Sequence, residues 1–195
     1  MEKGGSSRKY AGSLMWLLDA GIINFCHNLS RPALPLEGNA STGAFKVYMN
    51  DTGLLVSLLE DGSQADIING NLGIYKGAIY ENIIADIFTK LGKRLYYFEY
   101  KNQLEIDFII RYAGVATAVE VKSADNKKSK SMRSVMTNHG VSRGIRLTSR
   151  NVGSTDVENA AQSIRCDLPQ NETNRAAGNE GRVLDGLPLY MAIFL

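Results

Sequence analysis

A chain of 195 residues, with 44% hydrophobic and 22% charged residues, has the size and composition of one ordinary globular domain or a domain plus a fragment. Its longest apolar runs, Leu14 to Leu18 and Met191 to Leu195, fall far short of the roughly 20 residues of a membrane span. A net charge of +2 points to no partner by itself, and neither a signal peptide nor a membrane segment is legible, so a cytoplasmic protein is expected.

The first ten residues read as a flexible start. Leu14, Leu17 and Leu18 give a short helical apolar face that ends near Gly21, a residue suited to a C-cap. Ile22 to Cys26 reads as a strand, and a turn-rich stretch follows through Pro32, Pro35, Gly38 and Gly43. Phe45 to Met49 reads as a returning strand, with Asp51 placed to N-cap a helix over 52–59. Helix, strand, long turn and returning strand form the tail of a winged-helix unit over 1–60. Its earlier helices would lie upstream, so the N-terminus is expected to be cut from a longer chain.

A polar stretch with Gly62 and Gly70 marks a linker over 61–73, and a second domain is expected over 74–195. Ile79, Ile83, Ile84, Ile87, Phe88 and Leu91 recur at three- and four-residue steps, which predicts a helix over 74–91 closed by Gly92. Strands are expected over 94–100, 103–111 and 115–122, linked as antiparallel hairpins. A helix over 130–139 and a strand over 143–147 follow. Residues 149–181 are polar, rich in Asn, Gly and Ser, and are expected to form a flexible excursion before apolar residues 182–184 and 189–195 return to a buried sheet.

The chemistry sits in the middle of this second domain. Alternation along a strand puts Glu105 and Asp107 on one side, with Leu104, Ile106 and Phe108 opposite. In the same way Glu120 and Lys122 share a face, with Val119 and Val121 opposite. If the two strands pair, these acids and one ammonium meet, and Glu81 on the preceding helix could add another acid. Like charges this close do not all stay ionised without a counter-charge. One lysine at ~4 Å supplies about 4 kcal/mol of attraction at an effective dielectric near 20, enough for one acid. A divalent cation is the natural remaining partner. Mg²⁺ accepts one or two carboxylates together with waters and a substrate phosphate.

Other chemistries have little material. Cys26 and Cys166 are far apart in sequence and His27 and His139 are the two histidines, so zinc sites and Ser-His-Asp or Cys-His catalysis are disfavoured. No Gly-x4-Gly-Lys-Ser/Thr loop is present, so this chain is not expected to hydrolyse ATP. Between Lys122 and Arg150 eight basic residues face one acid, Asp125, which reads either as a solvated face or as a surface for phosphates. Tyr96, Tyr97, Phe98 and Tyr100 read as core packing or as a base-stacking strand.

Gly-Ala-Ile-Tyr-Glu-Asn (77–82), Glu-Ile-Asp-Phe-Ile-Ile (105–110) and Val-Glu-Val-Lys-Ser (119–123) together resemble the PD-(D/E)XK, restriction-endonuclease-like superfamily. More narrowly, the chain is similar to the uncharacterised domain at the C-terminal end of many bacterial and archaeal AAA-type ATPases. Trp-Leu-Leu-Asp-Ala-Gly-Ile-Ile (16–23), Phe-Lys-Val-Tyr-Met-Asn-Asp-Thr-Gly-Leu-Leu (45–55) and Leu-Pro-Leu-Tyr-Met-Ala-Ile-Phe-Leu (187–195) share in that likeness.

The resemblance implies an α/β fold, a restriction-endonuclease-like mixed sheet flanked by helices and preceded by the partial winged helix. It implies Asp107 and Glu120 as ligands of Mg²⁺ or Mn²⁺, Lys122 as the catalytic lysine and Glu81 as the helix acid. Glu105 fits the narrower motif without an assigned role, and Ile106 stands where the superfamily pattern has proline. The implied activity is metal-dependent phosphodiester hydrolysis of DNA or RNA, beside the ATPase domain of the same parent protein. Two other readings stay open. One is a catalytically inactive module that binds nucleic acid or protein and regulates the ATPase. The other is a transcription regulator using the winged helix, for which Arg31 and Lys46 offer thin support.

Overall fold

The computed structural model describes residues 7–122, 130–148 and 183–195. In chain order these form α1 (Ser7–Asp19), β1 (Ile23–Leu29), β2 (Ala40–Met49), α2 (Thr52–Ser57), α3 (Ser63–Ile68) and α4 (Lys76–Lys90). β3 (Leu95–Tyr100), β4 (Leu104–Ile106), β5 (Phe108–Tyr112) and β6 (Val115–Lys122) follow, then α5 (Lys130–Asn138), β7 (Arg143–Thr148) and β8 (Val183–Pro188). A 3-10 turn over Leu189–Phe194 closes the chain.

Local chemistry explains most of these boundaries. Gly21, Gly92 and Gly140 follow α1, α4 and α5 with positive φ, the left-handed turn that glycine takes without steric cost. Asp51 caps α2, its carboxylate accepting the Leu54 N–H at 2.8 Å.

The strands build two mixed sheets, in the orders β2-β1-β3-β4 and β5-β6-β7-β8. In the first, β1 is antiparallel to β2 and parallel to β3, and β3 is antiparallel to β4. In the second, β5 is antiparallel to β6, and β7 runs parallel to both β6 and β8. The α/β class and the two antiparallel hairpins agree with the sequence. The single sheet does not, and the reason lies at one residue. The strand expected over 103–111 breaks at Asp107: Leu104–Ile106 belongs to the first sheet and Phe108–Tyr112 to the second.

Two apolar clusters line opposite faces of these sheets. On one face, Ile84, Ala85 and Phe88 of α4 pack on Leu95, Tyr97, Phe108, Ile110, Val119, Val121, Ile145 and Leu147. On the other, Met132, Val135 and Met136 of α5 pack on Tyr96, Phe98, Leu104, Ile106, Ile109 and Ala118. Because β3 and β6 are covered on both faces, they read as nearly continuous apolar runs. Tyr96, Tyr97 and Phe98 are accordingly core, while Tyr100 is 45% exposed.

The N-terminal region is woven into this architecture. The β1–β2 hairpin, expected to close a winged-helix unit, shares its sheet with β3 and β4. Residues 61–73, expected as a linker, contain α3. Residues 189–194, expected to rejoin a sheet, instead form the 3-10 turn that packs on α4, and the returning strand is β8. The excursion over 149–181 lies outside the described residues.

Asn82 ties α4 to the end of β2. It is 2% exposed; its Oδ1 accepts the Met49 N–H at 2.8 Å, and its Nδ2 donates to the Met49 carbonyl at 3.1 Å and to Thr52 Oγ1 at 3.0 Å. Asn82→Ala strands a partly buried N–H and a carbonyl together, so it should cost about 2 kcal/mol in urea unfolding. An effect below about 1 kcal/mol would show that water replaces the amide.

Candidate active site at the seam between the sheets

Asp107 sits at the bend where the chain passes from β4 to β5. Its Oδ2 accepts the Val121 N–H at 2.7 Å, which fixes the carboxylate against the backbone between Glu120 and Lys122. Asp107 thus meets the Glu120–Lys122 segment through a peptide N–H, not through the one-face pairing of two straight strands.

The bend also changes which groups share a face. Ile106 packs in the cluster under α5, but Phe108 packs in the cluster under α4. The expectation that Leu104, Ile106 and Phe108 point the same way is therefore corrected, because a straight-strand period of two does not survive the change of sheet. With Leu104 and Ile106 turned toward α5, Glu105 lies on the α4 side. Val119 and Val121 pack toward α4, so Glu120 and Lys122 lie on the α5 side. The expected one-face cluster is thus two groups, with Asp107 at the seam between them.

On the α5 side, Glu120 is 3% exposed. Its Oε1 pairs with Lys122 Nζ at 2.8 Å, and Arg146 Nε from the adjacent β7 stands 3.6 Å from its Oε2. Arg146 comes from the basic run that read as a solvated face or a phosphate surface. Arg143, from the same run, lies over the Tyr112 ring at 4.8 Å. Lys122, Arg143 and Arg146 therefore have intramolecular partners. Lys127, Lys128 and Arg150 lie outside the described residues.

On the α4 side, Tyr48 Oη donates to Glu81 Oε2 at 3.2 Å. Lys46, two residues earlier on β2, forms an ion pair with Glu105, and its Nζ lies 5.0 Å from the Tyr97 ring centroid. Nothing in the amino-acid order points to this role for Lys46. Phe-Lys-Val-Tyr-Met reads with its apolar residues inward, yet Val47 is 42% exposed and Tyr48 only 7%. Alternation itself was available, but the sense of it depends on Glu81 and Glu105, which arrive from distant elements.

The electrostatics match this geometry. Burial, reinforced by the Glu81 charge, pushes the Asp107 carboxyl up to about 7, against the Val121 N–H and Lys46, which favour the anion. Burial disfavours the Lys46 ammonium, but the Glu105 hydrogen bond and the charges of Glu81, Glu105 and Asp107 outweigh it and raise the group above its usual value. Burial, together with Glu81, likewise raises the Tyr48 phenol. Asp107 is thus a desolvated carboxyl facing a second acid, the setting in which an added cation is most favourable.

Among the described residues, no group of three or more His, Cys, Asp or Glu is gathered closely enough to hold a metal. Glu81 is not drawn into a common ligand set with Asp107 and Glu120. Two carboxylates with waters and a phosphate still satisfy Mg²⁺, which seldom uses a cage made only of protein ligands. The donor chemistry of Asp107 and Glu120 fits that ion.

Residues 76–163 match the family described as a domain of unknown function (DUF4143). It is a domain found C-terminal to AAA ATPases. Residues 1–65 match a second family, described as a domain of unknown function (DUF8612). No curated protein and no solved structure matches the chain. The DUF4143 match contains Glu81, Glu105, Asp107, Glu120 and Lys122, while Lys46 and Tyr48 lie in the DUF8612 match. The site therefore draws side chains from both matched segments. No helix among the described residues is long and apolar enough to cross a membrane.

Proposed function

We propose that this chain is a PD-(D/E)XK-type, nuclease-like domain acting on DNA or RNA with Mg²⁺ or Mn²⁺. Its α1–β1–β2 segment would be the remainder of a winged-helix unit, and its parent a cytoplasmic AAA-type ATPase whose ATPase domain is its partner. The observation that carries the reading is the Asp107 carboxylate, desolvated and bonded to the backbone between Glu120 and Lys122.

Asp107 and Glu120 would hold the cation. Such an ion supplies Lewis-acid polarisation of the phosphoryl oxygen and lowers the pKa of a bound water. Lys122, beside Glu120, would orient the attacking water and balance the negative charge that grows on phosphorus. Glu81 would keep Asp107 oriented by repulsion and through its Tyr48 hydrogen bond. A groove of about 570 Å³ between the β3–β4 turn and α5, lined by Tyr100, Gln103, Leu104, Lys130, Ser134 and His139, offers an aromatic ring and polar groups along one path for a nucleic-acid strand.

Calorimetry with Mn²⁺ tests the ion, and cleavage assays on single- and double-stranded DNA and RNA test the chemistry. Wild type should bind Mn²⁺ and Asp107→Ala should not. Lys122→Ala should lower metal-dependent cleavage at least about 100-fold. Identical titration of wild type and Asp107→Ala removes the metal site.

A second reading rests on Glu120, which already has Lys122 and Arg146 beside it. A carboxylate balanced in this way suits a non-catalytic module that binds nucleic acid or protein and regulates the ATPase. That module would retain binding after Glu120→Ala or Lys122→Ala and would cleave none of the nucleic acids.

A further inference from the structure

The seam has an ammonium on each side. Lys122 stands at Glu120 on the α5 side. Lys46 stands on the α4 side, ion-paired with Glu105 and lying over the Tyr97 ring, within electrostatic reach of Glu81 and Asp107. Its position is built from several directions. β2 pairs it with the buried Cys26 of β1, Tyr97 supplies a ring face, Glu105 arrives from β4, and Tyr48 two residues on holds Glu81. An ammonium held by both a carboxylate and a ring face is fixed in place, unlike that of a solvated surface lysine.

We infer that Lys46 is the site's own counter-cation: its ammonium, tethered by Glu105 and Tyr97, occupies the Glu81 side of Asp107, competes there with divalent cations and confines them to the Glu120 side. Two cations on one desolvated carboxylate repel each other, so the occupant of one side sets the affinity of the other. Glu105 then has the role that its motif position left unassigned. It holds the Lys46 charge back from Asp107 and so leaves Asp107 able to take a metal. Lys46 is a positioning residue, since it acts through the carboxylates and not on the reacting atoms. The location of the metal rests on the proposed role of Asp107 and Glu120, but the competition can be read separately.

Mn²⁺ titration calorimetry on the full chain separates the two. Lys46→Gln should bind Mn²⁺ about tenfold more tightly than wild type or take a second equivalent, and Lys46→Arg should behave as wild type. Glu105→Gln should bind several-fold more weakly, because the released ammonium moves toward Asp107. These opposite signs are not what a purely structural residue would give. If wild type binds no Mn²⁺ but Lys46→Gln does, the metal reading of the native site fails and the counter-cation role stands. If wild type binds and Lys46→Gln binds equally or more weakly, the counter-cation role is overturned while the metal reading survives. Binding by neither overturns both. Thermal melts in EDTA establish that each variant is folded; should Lys46→Gln fail to fold, Glu105→Gln decides, unchanged affinity counting against the inference.

Discussion

Metal-free wild-type protein is expected to lose about 2.5 kcal/mol of stability between pH 5 and pH 8, and Asp107→Asn is expected to lose almost none of it. The sign follows from the direction of the shift. The Asp107 carboxyl is pushed up to about 7 by burial and Glu81, whereas an unfolded aspartate titrates near 3.8. Between these values the folded chain holds a proton that the unfolded chain has released. Stability is therefore full below about pH 4 and falls as pH rises through 7, at up to ~1.4 kcal/mol per pH unit. Asparagine keeps an oxygen for the Val121 N–H and carries no charge to desolvate, so the variant should overtake wild type at alkaline pH. Urea unfolding across the pH range in EDTA measures both profiles. A flat wild-type profile, or equal slopes in the two proteins, would show that Asp107 is solvated. Saturating Mn²⁺ should flatten the wild-type slope if Asp107 holds the ion.

Glu120→Ala should be the most damaging single change at the site, costing about 3–5 kcal/mol. Glu120 is buried, with Lys122 at 2.8 Å and Arg146 at 3.6 Å. Removing the carboxylate takes a buried negative charge away from two cations carried on adjacent strands. Glu120→Gln keeps the volume and an acceptor oxygen and should cost less. If thermal unfolding shows Glu120→Ala within about 1 kcal/mol of wild type, the pair is effectively solvent-screened and adds little to the fold. The contrast with Asp107 is instructive: neutralising one acid relieves the fold at high pH, and deleting the other breaks it.

Some of this was legible in the amino-acid order. The three- and four-residue steps among Ile79, Ile83, Ile84, Ile87 and Phe88 locate α4, and Val119 and Val121 opposite Glu120 and Lys122 locate β6 and its faces. Asp51 announces its helix. The change of sheet at Asp107 was not legible, because Gln-Leu-Glu-Ile-Asp-Phe-Ile-Ile keeps strand-like composition straight through the bend. What breaks it is the competition of two sheets for its two halves, a tertiary effect. The role of Lys46 was hidden for a related reason. A lysine between Phe45 and Val47 points outward on any hydropathy argument, and only Glu81, Glu105 and Tyr97, far away in the chain, make the inward direction favourable. Arg146 belongs with them, since its partner Glu120 becomes its neighbour only when β6 and β7 align.

The order of strands has one more consequence. β1 to β4 all precede Asp107 and β5 to β8 all follow it, so the covalent thread joins the two halves of the strand framework at this single point. A load that tilts one half against the other is carried to a chemical group and not to an inert loop. Through that linkage, a push delivered to the early strands would be felt as a change in the aim of one oxygen pair.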